Sequence, residues 1–457
     1  MGRVFENLKG TFDYLPDKQI IREEIKTVLQ SEFVKYGFAP IETPILCKRD
    51  LLVSKYSEGA DILNEMYKLS DQGKRELGLR YDLTITFSKL ISSNHSIILP
   101  FKRYEIGKVF RDGPVKVGRN REFTQCDVDV VGVKSMLAEA EYMMMTEEAY
   151  KKLGLEIEIE FNNRKLLTGI IYCIFGEVTE DVLRRSIMLI DKFAKLSEED
   201  LLNEFMTIGI EKSKVLRLRE VLSLNYFELK KTLSVYESKL VKEGLEEIDD
   251  LYRYLDGTEA LKCMKFAPYL ARGIDIYTGT VWEIFLKERK VGKQYFNMSI
   301  GGGGRFDKII TTFVDDGNEY PAVGMSFGLD VIYEILTLKN SDKKMTTVDL
   351  YVIPMETDVE AFKFVCGMRS VDVRTDMEKR KQRLKKSMNY ANKMNIPFVV
   401  VIGEEEIKNQ TLKLKNMNTG RTQEFNIEDY EGIKNFINAE IWKSERLYYL
   451  YSLLNIV

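Results

Sequence analysis

One stretch of this chain, from residue 101 to residue 132, constrains its fold more than any other: FKRYEIGKVFRDGPVKVGRNREFTQCDVDVVG. Two alternating segments, 102–111 and 121–131, flank a glycine-containing loop, a pattern that predicts a long β-hairpin. Because side chains alternate along a strand, one face of this hairpin carries cations near the loop and carboxylates away from it. The residues of this face are Arg103, Glu105 and Arg111 on the first strand and Arg121, Phe123, Gln125, Asp127 and Asp129 on the second.

Two interpretations of this charged face are open. A face that served only as a core would not carry so many charges, because burying an unpaired charge is costly. The pattern suits a ligand that is anionic at one end and cationic at the other, such as an amino acid condensed with a nucleotide phosphate. The alternative is a solvated hairpin face with surface salt bridges, which are common and contribute little.

The overall composition excludes several classes of function. The net charge is −3, so a nucleic-acid partner would have to be held by local basic patches. The five scattered cysteines show no CxxC or Cys/His spacing, which argues against a structural zinc site or a disulfide framework and favours a reducing compartment. No apolar run approaches the roughly 20 residues that span a bilayer, and the polar first residues do not resemble a signal peptide. We therefore expect a cytoplasmic protein without membrane contact.

The single histidine, His95, lies between polar residues in the segment ISSNHSII. No surrounding motif fits a Ser–His–Asp or Cys–His arrangement. We therefore expect chemistry that works by positioning and electrostatic stabilisation rather than by imidazole acid–base catalysis.

Hydrophobic periodicity divides the chain into segments. Residues 1–164 mix helix and strand patterns, and residues 165–265 are rich in Leu, Lys and Glu with helical spacing, which predicts a helical insertion. Strand patterns return in 266–337. A polar linker then precedes 346–440, where strands alternate with helices, as in a separate α/β domain. The last residues, 441–457, form an apolar extension whose role the sequence does not indicate.

Three short motifs each allow a structural and a functional interpretation. Arg272, in LARGIDIYTG, is either a phosphate-binding fork or a surface arginine near a turn. The run Gly301–Gly304 either lets a ligand approach the backbone or forms a bend. Asp82 and Thr84 lie at a predicted strand-to-helix junction, where they either cap the helix or bind an ammonium group.

A fourth motif, KRKQRLKK at 379–386, has six cations in eight residues. The spacing predicts a basic helix with Leu384 and Met388 turned inward. Its charges indicate either a solvated helix face or a contact with RNA phosphates.

Taken together, these segments resemble the histidyl-tRNA synthetase family of class II aminoacyl-tRNA synthetases, over roughly residues 5–440. FAPIETPIL resembles the family's motif 1, whose proline, here Pro44, lies at the dimer interface. The charged hairpin resembles motif 2, and LARGIDIYTG and GGGGRFD resemble the two histidine-specific signatures. The resemblance implies an α+β fold: an antiparallel catalytic sheet flanked by helices, a helical insertion near the tRNA acceptor stem, and a C-terminal α/β anticodon-binding domain.

The activity implied by the resemblance is that of a cytoplasmic, homodimeric histidine–tRNA ligase, which uses ATP and Mg²⁺ to form histidyl-adenylate and transfers histidine to the 3′ end of tRNA(His). The resemblance implies no protein-bound metal. It assigns Arg111 and Arg272 to the α-phosphate as catalytic residues; Arg111, Arg119, Arg121 and Arg272 to ATP; Asp82, Thr84, Gln125, Asp129, Tyr277 and Phe306 to histidine; and Lys116, Lys381 and Arg383 to tRNA.

Two positions depart from the family pattern. Phe306 stands where the signature usually has tyrosine, and Val331 stands where motif 3 usually has an ATP-facing arginine, for which Arg305 is a candidate substitute. These departures keep a second hypothesis open: a catalytically weak paralogue that binds tRNA or senses histidine. One version resembles the regulatory subunit of ATP phosphoribosyltransferase, but that subunit lacks the anticodon-binding domain predicted here.

Overall fold

The computed structural model describes residues 5–54, 64–94, 96–115, 118–193, 196–272, 276–339 and 346–440. The chain divides into two compact units. The first contains Met1–Asp13 and Arg22–Asn340, and the second contains Tyr14–Ile21 and Ser341–Val457. Within the described ranges, no helix is long and apolar enough to cross a membrane.

Helices and strands mix throughout the part of the chain before residue 340. Its helices are α1 (Pro16–Lys35), α2 (Arg49–Val53), α3 (Thr84–Ser92), α4 (Leu137–Lys152), α5 (Arg164–Phe175), α6 (Glu180–Ile190), α7 (Glu198–Thr207), α8 (Lys212–Leu222), α9 (Tyr226–Leu233), α10 (Lys239–Leu255), α11 (Glu259–Cys263), α12 (Asp307–Val314) and α13 (Leu329–Lys339). Its strands are β1 (Ala39–Pro40), β2 (Leu46–Lys48), β3 (Lys68–Ser70), β4 (Glu76–Leu79), β5 (Phe101–Phe110), β6 (Glu122–Val131), β7 (Ile157–Asn163), β8 (Met264–Phe266), β9 (Thr280–Leu286), β10 (Lys290–Val291), β11 (Gln294–Tyr295), β12 (Gly301–Arg305) and β13 (Ala322–Gly328).

The main sheet has eight strands among the described residues, in the order β1-β5-β6-β13-β12-β9-β7-β8. Pairing is antiparallel through the middle and parallel only at the two edges, where β1 joins β5 and β8 joins β7. Smaller sheets form from β2, β4 and β3 and from β10 and β11. This antiparallel-rich sheet with flanking helices confirms the predicted α+β class.

The predicted hairpin is confirmed, because β5 and β6 pair over ten residues each. Their register places Arg103 opposite Asp129 and Glu105 opposite Asp127. All four charged residues therefore lie on one face of the sheet, as the alternation predicts.

The opposite face of the sheet is an apolar core. Phe33 of α1 contacts Tyr104 of β5 and Phe327 of β13, with ring centroids 5.4 and 5.6 Å apart. Tyr150 of α4 contacts Phe327 at 5.5 Å. Such aromatic pairs contribute about 0.5–1.5 kcal/mol each beyond the apolar area that they bury. With helices packed on this side, the charged face is left to line a site.

The predicted insertion is helical, from α5 to α11, within the described residues. Asn163 starts it by accepting hydrogen bonds from the backbone N–H groups of Lys165 and Leu166, which have no partner inside the helix. The helical segment ends at Cys263, and β8 then returns the chain to the main sheet.

The second unit is an α/β domain, as predicted. Its elements are β14 (Leu350–Pro354), α14 (Asp358–Ser370), β15 (Thr375–Met377), α15 (Leu384–Lys393), β16 (Phe398–Ile402), α16 (Glu404–Asn409), β17 (Thr411–Asn416), β18 (Thr422–Asn426) and a helix over 430–440. The strand order is β15-β14-β16-β17-β18, parallel for the first three strands and antiparallel for the last two.

The prediction of a basic helix over 379–386 is wrong in its boundary. Helix α15 begins at Leu384, whose side chain is 37% exposed rather than turned inward. The reason is the buried carboxylate of Glu378, which accepts hydrogen bonds from the backbone N–H and guanidinium of Arg380 and from the hydroxyl of Ser387. These contacts hold the preceding residues in a loop. Met388 is half-buried against an apolar cluster, as expected.

A buried ion pair joins α4 to the end of β12. The guanidinium of Arg305 donates to both carboxylate oxygens of Glu139, at 2.7 and 2.8 Å, and to the carbonyls of Val133 and Ser135. Arg305 is 4% exposed and Glu139 is fully buried. Removing one member of such a pair leaves the other charge buried without compensation.

We predict that Glu139→Ala lowers the free energy of unfolding by about 3–5 kcal/mol, because Arg305 loses its main partner. Urea denaturation followed by circular dichroism measures this. The control is Glu319→Ala, which removes an exposed ion pair with Lys134 and should change stability by less than about 1 kcal/mol. Equal effects of the two substitutions would contradict the prediction.

Candidate active site

Glycines form the floor of the charged sheet face. On this face, one row of cross-strand neighbours runs Arg103, Asp129, Gly324, Gly304 and Val281, and the next runs Glu105, Asp127, Ser326, Gly302 and Glu283. The polar side chains therefore lie on β5 and β6, and the middle strands present mostly backbone. The run Gly301–Gly304 is the buried strand β12, so its interpretation as a bend is wrong.

Close contacts explain why glycine is needed there. A Cβ atom on Gly302 would lie 2.7 Å from Nη1 of Arg272, and a Cβ on Gly304 would lie 2.6 Å from the ring of Tyr277. Both distances are too short for real contacts. The glycines thus let Arg272 and Tyr277 lie directly over the floor.

The carboxylates on the β5–β6 side are buried. Arg103, which is 0% exposed, lies 2.5 Å from Asp129 and 4.2 Å from the centroid of the Phe87 ring. Glu105 accepts a hydrogen bond from Arg80 at 2.7 Å. The alternative of a solvated hairpin face is therefore wrong for this part of the hairpin.

Asp129, Phe306 and Tyr277 come together at one end of the floor. A Cβ atom on Gly324 would lie 1.9 Å from Oδ1 of Asp129 and 3.0 Å from the ring of Phe306. Phe306 is buried in an apolar cluster with Phe87, and Tyr277 packs against the same cluster. This end of the site therefore combines aromatic surface with a carboxylate.

Asp82 caps a helix and also contributes charge to the site. Its Oδ1 accepts a hydrogen bond from the backbone N–H of Ile85 at 3.1 Å, and Thr84 is the first residue of α3. The capping interpretation therefore holds for the Asp82 carboxylate alone, because the N-cap position is Leu83, which makes no side-chain cap, and Thr84 lies inside the helix. The Asp82 carboxylate also helps to raise the pKa of Asp127, so it acts on the same cluster.

Asp127 is a residue that the prediction of the site missed, although the alternation placed it between Gln125 and Asp129. It is 4% exposed, and its Oδ1 has no hydrogen-bond partner among the described residues. Burial is the main reason that its pKa rises to about 7; Asp129 and Asp82 add to the shift, and Arg103 and the hydroxyl of Ser326 oppose it. Ser326, which no sequence signal indicated, also accepts a hydrogen bond from Gln125 Nε2 at 3.3 Å.

Arg272 is held by the protein rather than exposed at a turn, so that alternative is wrong. Its side chain is 18% exposed, donates to the carbonyl of Trp282 at 3.3 Å and lies 3.6 Å from Glu283. Its guanidinium carbon lies 5.4 Å from the centroid of the Tyr277 ring. Its φ of +41° is in the left-handed region.

The three arginines near the hairpin loop differ in burial and in their partners. Arg111 is half-buried, donates to the carbonyl of Tyr81 at 3.2 Å and stacks on Phe123 at 5.0 Å. Arg119 forms an ion pair with Glu65 and is 47% exposed, and Arg121 pairs with Asp112 at 3.3 Å. An anionic ligand would compete with Glu65 and Asp112 for these two side chains.

Comparison with known proteins identifies the family to which this chain belongs. A sequence model described as Histidyl-tRNA synthetase matches residues 10–332, and one described as Anticodon binding domain matches residues 349–433. The chain is 45% identical to histidine–tRNA ligase 1 of Bacillus cereus over 91% of this chain and 96% of that protein, and 42% identical to histidine–tRNA ligase 2 of Shouchella clausii over 92% and 97%. The crystal structure of histidyl-tRNA synthetase from Nostoc sp. matches with a TM-score of 0.82 and 25% identity, covering 95% of this chain and 100% of that one.

The chain belongs to the histidyl-tRNA synthetase family. Its function is that of a histidine–tRNA ligase, an aminoacyl-tRNA ligase whose partners are ATP, histidine and tRNA. The regulatory subunit of ATP phosphoribosyltransferase lacks an anticodon-binding domain. This chain has one, matched at residues 349–433, which decides against the regulatory-subunit hypothesis.

Val331 and Phe306, the two residues that depart from the histidyl-tRNA synthetase pattern, both make apolar contacts in this chain. Val331 is buried, and its Cγ2 would lie 3.0 Å from a Cβ on Gly118, so it packs under the hairpin loop. Phe306 belongs to the apolar cluster at the histidine-specific signatures. Arg305 is bound to Glu139, so the suggestion that it replaces the motif 3 arginine is wrong.

The three residues predicted to contact tRNA are Lys116, Lys381 and Arg383. Lys116 and His95 fall outside the described residues. Lys381 and Arg383 are exposed in the anticodon-binding domain, where Lys381 lies 3.6 Å from Asp358. Among the described residues, no group of three or more His, Cys, Asp or Glu side chains is placed to hold a metal ion.

We predict that Gly324→Ala raises the histidine KM at least about tenfold and lowers stability by about 1–3 kcal/mol, because the added methyl collides with Asp129, which Arg103 holds in place. Pyrophosphate exchange and thermal unfolding measure the two effects. Gly73→Ala is the control, since its Cβ would meet nothing closer than 3.4 Å. An unchanged KM in the Gly324 variant would contradict the prediction.

Proposed function

We propose that the glycine-floored face of the main sheet is where this ligase activates histidine with ATP. The observation that carries the proposal is the opposition of charge across the floor. Buried carboxylates line the β5–β6 side, and Arg272 lies over Gly302, two strands away. Two strand spacings are about 10 Å, which suits a ligand with an ammonium group at one end and a phosphate at the other.

Histidine is proposed to bind with its imidazole at the aromatic end of the floor. Asp129, Tyr277 and Phe306 would contact the ring, because a carboxylate beside aromatic surface matches an imidazole that is both flat and hydrogen-bonding. Asp82, Thr84 and Gln125 would surround the α-ammonium group. The Phe306 ring supplies apolar contact without a hydroxyl.

ATP is proposed to bind with its phosphates toward the arginines. Arg111 and Arg272 would contact the α-phosphate as catalytic residues, and Arg119 and Arg121 would bind ATP from the hairpin loop. In the first step, an oxygen of the histidine carboxylate forms a bond to the α-phosphorus while the bond to the β-phosphate oxygen breaks and pyrophosphate leaves. The guanidinium groups stabilise the charge that develops on the phosphoryl oxygens, so no protein nucleophile is needed.

Mg²⁺ is proposed to arrive bound to the phosphates of ATP. Mg²⁺ keeps several waters and is usually held by substrate phosphates with one or two carboxylates, rather than by a cage of protein ligands. When bound there, it would neutralise phosphate charge.

The second step is proposed to transfer histidine to the terminal ribose hydroxyl of tRNA(His), with release of AMP. Lys116 in the hairpin loop would meet the acceptor end. Lys381 and Arg383 would contact RNA phosphates from the second unit. The exposure of Lys381 and Arg383 supports this role, because a phosphate contact needs an accessible cation.

A cytoplasmic homodimer is proposed for the assembly. Pro44, Ile45 and Leu46 of the motif 1 segment are exposed apolar residues in succession, which suits an interface. Sedimentation equilibrium should give twice the chain mass. Cys47, Cys126, Cys173, Cys263 and Cys366 form no disulfide with one another, and a reducing cytoplasm would keep their thiols free.

We predict that Arg272→Ala lowers the rate of histidine-dependent ATP–pyrophosphate exchange by about a hundredfold to a thousandfold, because a fixed donor to the transition state is lost. Arg289→Ala is a matched control. Arg289 also has a positive φ, of +51°, stacks on an aromatic ring and pairs with glutamates, and those glutamates lie on β7, two strands from Gly302. Exchange that survives Arg272→Ala as well as it survives Arg289→Ala would remove Arg272 from the mechanism.

We predict that the double substitution Lys381→Ala with Arg383→Ala raises the KM for tRNA(His). The slope of log KM against log salt concentration should become smaller by up to about two, one for each lost phosphate contact. Pyrophosphate exchange should be unchanged, since exchange does not require tRNA. Aminoacylation assays at several salt concentrations measure this. Lys408→Ala, in the same unit, is the control for loss of an exposed cation. A salt slope equal to that of the control would exclude the two residues from the RNA contact.

A further inference from the structure

Two acceptor atoms beside each other on β6 have no hydrogen-bond partner among the described residues. They are Oδ1 of Asp127 and Oε1 of Gln125, both buried. Both side chains are tied to the same hydroxyl: Ser326 accepts from Gln125 Nε2 and donates to Asp127. These contacts with Ser326 fix both side chains and leave Oδ1 of Asp127 and Oε1 of Gln125 as the acceptors without a donor among the described residues. A buried acceptor without a donor is costly, which indicates that a ligand supplies the donor.

The charge of the surrounding cluster specifies the kind of donor. Two buried cations, Arg80 and Arg103, face four buried carboxylates, Asp82, Glu105, Asp127 and Asp129. Arg80 pairs with Glu105, and Arg103 pairs with Asp129, so the two pairs are balanced among themselves. Asp127 forms no ion pair with another described residue, so a cationic ligand group would compensate its charge.

We propose that Asp127 is a further specificity-determining residue, whose Oδ1 accepts a hydrogen bond from the α-ammonium group of histidine beside Gln125. The inference rests on the proposed site for histidine. Asp129, two residues further along the same face, lies at the aromatic end with Phe306. The two aspartates would therefore bind different parts of the substrate. Asp129 faces the ring, and Asp127 faces the amino group.

A pH dependence follows from the burial of Asp127. The charged groups that share its face are Arg103 and Glu105 on β5, Asp129 on β6 and Asp82 before α3. The pKa of Asp127 is raised to about 7, mainly by burial, so the empty site holds much of it protonated below neutrality. An ammonium group binds the carboxylate form. Affinity that depends on the ammonium group should therefore rise as the pH increases through about 7 and fall as the pH decreases.

The experiment compares histidine with imidazole-4-propionate, which has the same ring and carboxylate but no α-amino group. We expect Asp127→Asn to weaken histidine binding about tenfold to a hundredfold, the range for a hydrogen bond to a charged group, and to leave imidazole-4-propionate unchanged. Calorimetry gives both dissociation constants, and pyrophosphate exchange should show a raised histidine KM with little change in kcat. Glu122→Gln is the matched control, because it removes one carboxylate from the opposite face of the same strand.

The α-ammonium group lowers the imidazole pKa of histidine below that of imidazole-4-propionate, so each dissociation constant is first corrected for the imidazole pKa of its own ligand, measured by NMR titration. The ratio of the two corrected constants then isolates the amino group. In the unsubstituted protein, the ratio should favour histidine more strongly as the pH rises from 5.5 to 8, and in Asp127→Asn it should be flat. Equal losses for both ligands, or no loss for histidine, would overturn the assignment. If the variant does not fold, a flat ratio in the unsubstituted protein overturns the assignment by itself. Failure of the unsubstituted protein to bind histidine would instead overturn the proposed site.

Discussion

The buried guanidinium of Arg103 is the interaction on which the charged face depends. It is excluded from solvent, and a carboxylate and an aromatic ring surround it. A cation in such a place is stable only when its partners are fixed, so β5, β6 and α3 have to assemble around it together. Once it is balanced by Asp129, the same face can hold further carboxylates away from water. An all-apolar face would pack as well but would have nothing to offer a polar ligand.

Backbone and side chains have separate tasks in this site. The middle strands offer a surface without side chains, because Gly302, Gly304 and Gly324 leave room for groups that lie above them. Recognition therefore comes from the two sides, where Asp127 and Arg272 differ in charge. The floor itself cannot distinguish one amino acid from another, since a backbone presents the same atoms whatever its neighbours are.

Much of this arrangement could be predicted from the sequence, and the limits are physical. A period of two places Gln125, Asp127 and Asp129 on one face, because an antiparallel hairpin permits no other arrangement. The family resemblance added Tyr277, which no periodicity indicates. Burial of the charged residues was not predictable, since it depends on how α3, the element before β5, folds back so that Phe87 lies over Arg103. The strand β12 was also missed, because glycine has low strand propensity and its pairing with β9 and β13 is a tertiary effect.

The order of strands in the sheet has a consequence for synthesis on the ribosome. The partner of β6 on its second side is β13, and Asp127 pairs with Ser326, which is translated almost two hundred residues later. Until then, the hairpin exposes an unpaired edge in a crowded cell. Charges that point inward from an edge strand discourage pairing with other chains, because a wrong partner would have to bury them. We therefore expect the carboxylates that line the finished site also to disfavour wrong pairing of the nascent chain while the sheet is incomplete.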